Sequence, residues 1–520
     1  MRRLDLRLGI DVGGTNTDAV LLDRDGHLLA KAKVATSPDV TTGIVAALDR
    51  LLAETGESRD RISHVMFGTT HATNAVLQRR KLRRVAVVRI GGPATYAIRP
   101  LFAWPADLRE TISAGEAIID GGSEFDGREI MPFDAQALER FLQPLAGSVE
   151  GVAVTSVFAS ASAEHELRAA EVVQSTLGAE IQISLSHEIG TVGLLERENA
   201  TVLNAALTAV VHEVTEALER ALASRQLEAL VFFAQNDGTL MAQDQAVRFP
   251  VLTIGSGPAN SIRGAAYLTG VRDAIVVDVG GTSTDIGVLA NGFPRESSSP
   301  IEIGGIRTNF RMPDLISVAL GGGSIIRADN GRVAVGPDSV GFELEQRALV
   351  FGGETPTLTD AAVAAGRADL GSRAQAAAGD GMLTPALEWS DTTLADAIDR
   401  VKLSRVAQPL VVVGGGSVLV PEHLPGASEV RRPQHFEVAN AIGAAIAMVS
   451  GQIDRIFDPG HAGRQAMLDE ASGLAREQAI RAGADPHTVE IVELEELPLS
   501  YLNNPAVRVR AKAAGQLDSG

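Results

Sequence analysis

The sequence predicts an α/β protein built from two related lobes, and three observations carry this prediction. Short β-branched runs alternate with stretches rich in Ala, Leu and Glu, a pattern typical of α/β folds. The octapeptide Asp-Val-Gly-Gly-Thr-x-Thr-Asp begins at Asp11 and again at Asp278, about half a chain later. At 520 residues the chain is also too long for one hydrophobic core. Two copies of one turn in such a chain indicate two lobes that close on one ligand.

The predicted strands are short runs rich in Val, Ile and Leu that end in glycine or polar residues. They lie at 8–12, 18–23, 28–34, 63–67, 84–90, 151–157, 181–185, 229–234, 274–279, 285–290 and 409–413. Each copy of the octapeptide joins two of these strands, which predicts a β-hairpin turn at both places.

The predicted helices are longer, and their apolar residues recur at helical spacing. They lie at 39–55, 72–80, 134–145, 164–177, 196–224, 257–269, 359–366, 392–404 and 435–451. The helix at 196–224 is the longest, and we expect it to link the two lobes. This expectation divides the chain into domains at 1–195 and 196–520. The stretch at 371–392 is predicted to be an exposed excursion, and the tail after Ala506 to be frayed.

Composition and charge exclude several classes of function. A net charge of −19, from 65 acidic and 46 basic residues, disfavours nucleic acid or an anionic membrane as a partner. The absence of cysteine removes disulfides, thiolate zinc sites, iron–sulfur clusters and cysteine nucleophiles. The N-terminus runs directly into a predicted strand, and no apolar run reaches membrane-spanning length. We therefore expect a cytoplasmic protein that binds neither nucleic acid nor membrane.

The repeated turn has the composition of a phosphate-binding loop. Glycine lets the backbone approach an anion and aim several N–H groups at it, and the threonine hydroxyls add donors. Asp11 and Asp278 end the preceding strands, where carboxylates can hold Mg²⁺ through water. A tight hairpin that needs glycine for geometry alone is the alternative, but it does not require shared hydroxyls and carboxylates. The predicted nucleotide-binding residues are Gly13, Gly14, Thr15, Asn16 and Thr17 in the first copy and Gly280, Gly281, Thr282, Ser283 and Thr284 in the second.

A third glycine-rich element follows the predicted strand at 409–413. It consists of Gly414, Gly415, Gly416 and Ser417, whose bare backbone can lie flat against a base and ribose. Alone, this pattern also fits an ordinary strand and loop. Its position after the second phosphate turn favours an adenosine-binding segment, so we expect three segments to hold one ATP.

These segments resemble the phosphate-1, phosphate-2 and adenosine segments of the actin, Hsp70 and sugar-kinase ATPase superfamily. Within it, the chain is most similar to the hydantoinase A/5-oxoprolinase family, whose motifs occur here in family order. They are Phe67-Gly-Thr-Thr-His-Ala-Thr-Asn74, Leu195-Glu-Arg-Glu-Asn-Ala-Thr-Val-Leu-Asn-Ala205, Gly255-Ser-Gly-Pro-Ala-Asn260, Leu320-Gly-Gly-Gly-Ser-Ile325, Val335-Gly-Pro-Asp-Ser339 and Gly352-Gly-Glu-Thr-Pro-Thr-Leu-Thr-Asp360. The resemblance implies an α/β fold of two actin-like (ribonuclease H-like) lobes with a nucleotide cleft between them.

The resemblance also implies an activity, that of an ATP-dependent hydrolase subunit. ATP would phosphorylate the oxygen of a cyclic amide, such as a hydantoin, lactam or oxoproline, and so activate it for ring opening. Asp11, His71 and Asp278 would be catalytic, with ATP and Mg²⁺ as cofactors, although a histidine at a helix start can equally cap or pack there. The substrate contacts that the resemblance implies are Thr69, Thr70, Gly322, Gly323 and Ser324.

Three further motifs have both a functional and a structural interpretation. The helix after Gly255-Ser-Gly-Pro-Ala-Asn260 offers an anion site, but a Gly/Pro turn that enters a helix explains it nearly as well. Asp360 can equally cap a helix or bind a ligand. Asn330-Gly331 marks a tight hairpin, and we expect the glycine run at 321–323 to face the interlobe cleft.

Two departures from the family pattern bear on substrate and partner. Residues 339–351 lack the prolines and the cysteine that larger members carry there, which puts the substrate-side chemistry in doubt. The chain also stops near the end of the ATPase module, so we expect a second hydrolase subunit and leave a homo-oligomer open. An ATP-dependent carboxylase subunit of acetone or acetophenone type and a small-metabolite kinase are the alternatives. The absence of cysteine argues against iron–sulfur activators and against sugar kinases with a cysteine-ligated zinc.

Overall fold

The structure is a computed structural model, and it describes most of the chain. The described residues are 6–36, 40–57, 59–190, 192–297, 300–310, 312–329, 332–373, 381–402, 405–457, 463–499 and 506–518. The strands are β1 (Leu6–Val12), β2 (Asn16–Leu22), β3 (Leu28–Ala35), β4 (Ile62–Thr69), β5 (Val85–Gly92), β6 (Ser113–Asp120), β7 (Gly151–Ser156), β8 (Gln182–Leu185), β9 (Leu230–Ala234), β10 (Leu240–Ala242), β11 (Ala274–Val279), β12 (Thr284–Ala290), β13 (Phe293–Pro294), β14 (Ile301–Ile303), β15 (Ile306–Thr308), β16 (Leu315–Val318), β17 (Ser324–Asp329), β18 (Arg332–Ser339), β19 (Gln408–Val413), β20 (Ala427–Arg431), β21 (Val449–Phe457), β22 (Glu490–Pro498) and β23 (Val507–Gly515).

Helices alternate with these strands along much of the chain, as an α/β fold requires. They are α1 (Val40–Glu54), α2 (His71–Gln78), α3 (Ala106–Ile112), α4 (Ala135–Leu142), α5 (Glu164–Leu177), α6 (Ser186–Ile189), α7 (Leu194–Ala223), α8 (Gln243–Arg248), α9 (Ser256–Thr269), α10 (Leu344–Arg347), α11 (Leu358–Ala364), α12 (Leu383–Val401), α13 (Ala439–Ala445) and α14 (Gly463–Arg481). Every strand predicted from the sequence is present, with ends that differ by at most two residues.

One strand arrangement occurs twice in the molecule. In a nine-stranded sheet, β9, β4 and β1 run parallel, and β2 and β3 continue antiparallel. In a six-stranded sheet, β20, β19 and β11 run parallel, and β12 and β13 continue antiparallel. Each octapeptide forms the hairpin between the first antiparallel pair of its sheet. The internal sequence repeat therefore marks a duplicated five-strand unit.

Two helices lie between the sheets and bring them together. α9 packs against β11 and β12 of the six-stranded sheet, α13 packs against β1 and β4 of the nine-stranded sheet, and the two helices pack on each other. A Cβ added to Gly264 would lie inside 3.0 Å of the Ala439 backbone oxygen, and one on Gly443 inside 3.0 Å of the Asn260 backbone oxygen. Only glycine permits such a separation, so the two helix backbones are in direct contact.

The sheets do not follow the sequence division at residue 195. The nine-stranded sheet combines β1–β4 with β9, β10 and β21–β23, which lie after that position. A separate four-stranded sheet, in the order β6-β5-β7-β8, carries α4 and α5. The long helix α7 follows β8 of this sheet, packs against β7 and α1, and leads into β9. It therefore joins the four-stranded to the nine-stranded sheet, whereas α9 and α13 connect the sheets that carry the two hairpins.

The structure corrects three sequence predictions. The helix predicted at 435–451 is wrong for most of its length, because only Ala439–Ala445 is α-helical and β21 begins at Val449. Residues 507–515 of the predicted frayed tail instead form β23, which pairs with both β21 and β22 and buries Val509, Ala511 and Ala513. Within 371–392, α12 already begins at Leu383, while 374–380 lie outside the described residues.

The hairpin predicted at Asn330-Gly331 also falls on undescribed residues. The flanking strands β17 and β18 pair antiparallel, with Asp329 opposite Arg332. This pairing is the arrangement that a short hairpin connection produces. The conformation of the two turn residues themselves stays a prediction.

Candidate functional site

The two repeated turns face each other across the space between the sheets. Each turn closes with the same hydrogen bond, from Gly13 N to Asn16 O at 2.9 Å and from Gly280 N to Ser283 O at 2.9 Å. The side chain of Thr15 lies against Gly281, close enough that a Cβ there would meet it at 3.0 Å. The two turns therefore lie in contact at the cleft between the sheets, which is the candidate place for an anion.

The hydroxyls of the octapeptides divide into two sets. Thr15, Thr282 and Ser283 lie on the turns with their side chains at least partly accessible. Thr17 and Thr284 are fully buried; Thr17 contacts the Thr36 hydroxyl and Thr284 donates to a backbone oxygen. The last threonine of each octapeptide therefore stabilises its hairpin, which leaves the turn residues as the donors available to an anion.

Two buried and two partly buried aspartates lie beneath the turns. In each hairpin the two aspartates are cross-strand neighbours, Asp11 with Asp18 and Asp278 with Asp285. Burial, aided by the charge of Asp18, raises the pKa of Asp11 to about 7. Burial also raises the pKa of Asp285 to about 6 and raises the pKa values of Asp18 and Asp278. A cleft with this many carboxylates favours binding of a cation.

A polar bridge connects Asp11 and Asp278 across the helix pair. Asn440, on α13, donates to Asp11 Oδ2 at 3.5 Å. The hydroxyl of Ser261, on α9, contacts both the Asn440 amide oxygen and the Asp278 carboxylate. These hydrogen bonds stabilise the charged forms of both aspartates and oppose the effect of burial. The geometry of one hairpin is thereby tied to that of the other.

The segment after β4 lies beside the first turn. Thr69 is opposite Val12 in the parallel pairing of β1 with β4, and Thr70 N donates to Val12 O at 3.2 Å. His71 begins α2, and its Nδ1 lies 2.6 Å from Thr69 Oγ1. Burial, together with the charge of Lys81, lowers the pKa of His71. The structure thus places Thr69, Thr70 and His71 next to the first hairpin and favours a neutral imidazole.

The N-terminus of α9 meets this segment. Gly255 has a left-handed backbone conformation before the helix, and Ser256 donates to Thr69 O at 3.2 Å. The Asn260 side chain is fully buried near Gly68 and Asp11, and its amide atoms have no hydrogen-bond partner in the described part of the chain. A buried amide without partners is unfavourable in isolation, which indicates a group poised to contact a ligand or ion.

The glycine run at 321–323 packs directly on the second turn. Gly322 N donates to Gly280 O at 3.0 Å, and Gly323 N donates to Gly281 O at 2.7 Å. The run is therefore buried against the second turn, which engages the N–H groups of Gly322 and Gly323, and its predicted exposure to the cleft stays a prediction. Ser324 is fully buried, and its hydroxyl accepts from Gly321 N at 2.9 Å. These contacts support the second turn, and the predicted substrate contacts there stay predictions.

Asp360, left open by the sequence, has a structural role. It lies in a capping box at the start of α11, whose N-cap is Thr357. Its carboxylate accepts from Val350 N and Thr357 N, each at 2.7 Å, and is fully buried. All of these contacts are internal, so Asp360 holds the end of α11 in place.

The third glycine-rich segment closes over the end of β11. A Cβ at Gly414 would lie inside 3.0 Å of the Asp278 carboxylate, and Gly414 has a φ of +85°, so both sterics and backbone require glycine. Gly416 N donates to Val279 O at 2.8 Å. The hydroxyl of Ser417 is buried and has no partner among the residues described. The segment thus borders the same cleft as the two turns.

Lys33 is a functional candidate that the sequence did not reveal. Its Nζ lies 2.8 Å from Asp18 Oδ1 and donates to the Glu437 backbone oxygen at 3.0 Å. Its Cε packs beside Gly415, and its charge lowers the pKa of Asp278. Lys33 therefore connects β3 to the opposite sheet and partly offsets the negative charge of the cleft. No local pattern around residue 33 signals this role.

Replacing Lys33 by methionine is expected to weaken ATP binding about tenfold, or about 1.4 kcal/mol. The substitution keeps the apolar stem but removes the cation beside Asp18, so the cleft repels a polyphosphate more strongly. Calorimetric titration with a non-hydrolysable ATP analogue measures the effect. Lys31→Met is the matched control, because Lys31 lies two residues away on the same strand and pairs with Glu437. Equal affinities in the two variants would remove Lys33 from the site.

The carboxylates of the cleft fit a divalent cation. Asp11 Oδ1 is buried and has no hydrogen-bond partner within the described ranges, so it has an unused ligand position. In the same ranges, the one group of three ligand-type side chains whose ligand atoms lie within 4.8 Å of one another is Asp23, Asp25 and His27. That group lies in the β2–β3 turn, at the far end of β2 from the cleft. Asp11 and Asp278 stay the predicted residues for Mg²⁺.

Among the helices of the described ranges, none is both long and apolar enough to cross a bilayer.

Two family models match this chain over most of its length. The hydantoinase/oxoprolinase N-terminal region matches residues 7–177, and hydantoinase/oxoprolinase matches residues 197–387. The first match contains the first hairpin and the segment after β4. The second contains α9, the second hairpin and the glycine run that supports it.

Three curated proteins illustrate the range of similar sequences. Caprolactamase subunit alpha of Pseudomonas jessenii is 28% identical over 483 residues, which cover 86% of this chain and 66% of that protein. The acetophenone carboxylase gamma subunit of Aromatoleum aromaticum is 27% identical over 397 residues, which cover 69% of this chain and 53% of that protein. 5-Oxoprolinase 1 of Arabidopsis thaliana is 29% identical over 399 residues, which cover 68% of this chain and 31% of that protein. The chain thus spans from about a third to two thirds of the length of these relatives.

Two solved structures share the fold. A nucleotide-free acetone carboxylase superposes with a TM-score of 0.73 at 18% identity and covers 99% of this chain and 88% of its own. ATP-dependent caprolactamase from Pseudomonas jessenii superposes with a TM-score of 0.73 at 22% identity. This match covers 98% of this chain and 88% of the caprolactamase chain. The predicted class, α/β with two actin-like lobes, is confirmed by this likeness and by the duplicated sheet unit.

Proposed function

Because this chain belongs to the hydantoinase/oxoprolinase family, we propose that it is an ATP-dependent hydrolase subunit that phosphorylates a cyclic amide and so activates it for ring opening. The substrate class comprises hydantoins, lactams and oxoproline-like rings. The ATP would lie in the cleft between the two hairpins, with its adenosine on Gly414–Ser417 and its phosphates on the turns.

The observation that carries this proposal is the approach of the two turns. Thr15 of one hairpin lies against Gly281 of the other, so both turns can contribute N–H groups to one anion. Phosphoryl transfer asks chiefly for positioning and for neutralisation of charge, which opposed N–H groups supply. The family relatives support the acceptor class, since two of them are named as a caprolactamase subunit and a 5-oxoprolinase.

The first chemical step makes an unreactive amide reactive. The amide oxygen attacks the γ-phosphorus, an O–P bond forms, and the bond to the leaving ADP breaks. The ring N–H proton is released as the C=N bond forms, which gives a phosphorylated imidate. Water then adds to the ring carbon, and the ring C–N bond of this adduct breaks as the nitrogen takes up the hydroxyl proton, which gives a ring-opened acyl phosphate. A second water hydrolyses the acyl phosphate to the carboxylate and phosphate.

The residues of the cleft have separate roles in this proposal. The turn N–H groups hold the β- and γ-phosphates, and Lys33 offsets the charge near the adenosine segment. Asp11 and Asp278 would hold Mg²⁺ through water, and the ion would neutralise phosphate charge when bound. Asn440 and Ser261 keep the two aspartates in a fixed relation.

A carboxylase subunit is the second candidate. The relatives include an acetophenone carboxylase gamma subunit and an acetone carboxylase beta subunit. A ketone enolate oxygen, or bicarbonate, would then accept the phosphoryl group in the same cleft. Several relatives of either kind are named as subunits, so we also propose that this chain acts with a second protein.

The deciding experiment measures ADP release with a panel of acceptors. Lactams, hydantoins and 5-oxoproline form one set, and ketones with bicarbonate form the other, each with and without the product of the neighbouring gene. We expect at least about tenfold stimulation by a cyclic amide. Stimulation by ketones alone would favour the carboxylase, and a phosphorylated product that accumulates stably would indicate a kinase. No response to any cyclic amide would refute the hydrolase proposal.

A further inference from the structure

A cleft of about 1260 Å³ is lined by residues outside both hairpins. It is bounded by the four-stranded-sheet segment, which contributes Ala159 and Gly190, and by the nine-stranded sheet, which contributes Asn236 and Ser450. Asn236 follows β9, which is parallel to β4 and thus two strands from β1. The loops after β1, β4 and β9 leave the sheet at one edge. At a strand spacing of about 4.8 Å, this cleft begins about 10 Å from the first turn.

One side of this cleft presents a histidine held by a carboxylate. His187 lines the cleft with a side-chain exposure of 19%, and its Nδ1 lies 2.6 Å from Glu166 Oε2. Glu166 is buried and also accepts from His187 N at 3.0 Å, Ser156 N at 2.7 Å and Ser186 Oγ at 2.5 Å. Since a carboxylate of this kind only accepts, the Nδ1 proton is fixed between the two side chains. Nε2, on the opposite side of the ring, is left for a ligand.

The charges around His187 favour its protonated form. Burial alone would lower its pKa, but the hydrogen bond and charge of Glu166, with a smaller contribution from Glu188, outweigh burial and raise it. Arg248 opposes them with a lesser effect. Nε2 can therefore accept a hydrogen bond when the ring is neutral and donate one when it is charged.

The remaining lining of the cleft suits a neutral molecule. Arg510 pairs with Asp454 at 3.1 Å and Glu188 pairs with Arg248, so these charges compensate one another. Apolar side chains cover much of the wall. They include Leu240, Met241, Phe249, Leu252, Phe310 and Ile453. Such a mixture favours a ligand with an apolar body and one or two polar atoms.

We propose that this cleft binds the cyclic amide and that His187 Nε2 is its hydrogen-bonding contact. A cyclic amide presents its N–H and C=O on one edge, so it offers a donor to neutral His187 and an acceptor to protonated His187. A ketone offers only an acceptor. The inference rests on the proposed function for its ligand class and adds the place of binding, at the same sheet edge as the phosphate turn.

The test follows the His187 ring by NMR in the full, nucleotide-free chain. His187→Phe assigns its signal among the 10 histidines of the protein. We expect δ-valerolactam to shift this signal saturably and cyclohexanone, of matched ring size, to shift it less. Glu166→Gln is expected to lower the pKa of the ring and to weaken the response. An unmoved His187 signal at saturating lactam would overturn the inference.

Steady-state kinetics test the role of His187 independently of the NMR experiment. With a stimulating lactam, His187→Phe is expected to raise the lactam KM about tenfold, equivalent to 1.4 kcal/mol, and to leave the ATP KM unchanged. His212→Phe, on the exposed side of α7, is the control and should change neither. Turnover that responds to lactams with a wild-type lactam KM in His187→Phe would refute this inference and leave the proposed function standing. A lactam-induced NMR shift without any turnover would support the cleft and refute the proposed function.

Discussion

Replacing Asp11 by asparagine is expected to reduce ATP turnover about 10²–10³-fold and at the same time to stabilise the fold. The loss follows from the proposed role in holding Mg²⁺, which an uncharged amide fulfils poorly. The gain follows from the raised pKa of about 7, against an ordinary value of 3.8, which shows that the buried charge is unfavourable. Full relief of that shift corresponds to at most about 4 kcal/mol at neutral pH.

The sign of the pH dependence separates this account from a simple loss of structure. A carboxyl group whose pKa is raised in the fold binds more protons when folded, so wild-type stability falls as pH rises from about 4 to about 7. Asp11→Asn should make this part of the curve less steep when chemical unfolding is followed without nucleotide or metal, and the slope that remains comes from groups such as Asp285, whose pKa is also raised. Asp25→Asn, on the exposed β2–β3 turn, is the control and should change neither turnover nor the curve. Persisting turnover in Asp11→Asn would remove this carboxylate from its proposed role.

Replacing Gly443 by alanine is expected to lower the free energy of unfolding by about 3 kcal/mol or more. The added methyl group would lie inside 3.0 Å of the Asn260 backbone oxygen, so α9 and α13 must separate. Asn260 lies beside Asp11 and its backbone meets Gly443, so ATP turnover should fall along with stability. Denaturant titration gives the first quantity, and ADP release at a temperature where the variant is folded gives the second.

Gly473→Ala is the matched control for this substitution. Gly473 also lies inside a helix, α14, but no other group lies within 4 Å of a Cβ added there. Alanine should therefore stabilise the fold by about 0.5–1 kcal/mol through helix propensity alone. A Gly443→Ala variant that behaves like Gly473→Ala would show that the helices tolerate a wider spacing.

The parts of the site that share a local pattern could be predicted from the sequence. The octapeptide specified both hairpins because its glycines, flanked by apolar runs, leave few other structures open. The same reasoning assigned an anion-binding role to all of its threonine hydroxyls, although two of them are buried in the hairpins. Thr17 and Thr284 are one residue beyond the turn, where the alternation of a strand points side chains into the fold.

The residues that the sequence did not reveal act through distant contacts. Lys33 and Glu437 are 404 positions apart, and Asn440 reaches Asp11 across 429. The wrong helix at 435–451 has a related cause. Its small apolar residues are compatible with the spacing of either a helix or a strand. The pairing of β21 with β23 makes the segment from Val449 a strand. The tail after Ala506 looked polar at its end, yet β23 occupies the interior of a sheet.

The mixed origin of the nine-stranded sheet has a consequence for synthesis of the protein on the ribosome. Its first strands emerge at residues 6–69, whereas β21 and β23, which extend the same sheet, emerge after residue 448. The early strands must wait for most of the chain with one edge incomplete, and such nonlocal pairing folds slowly. During that interval β10 presents an exposed edge, because its eventual neighbour is β21. We therefore expect chains halted before β21 to engage chaperones or to aggregate, although both octapeptide hairpins have already been synthesised.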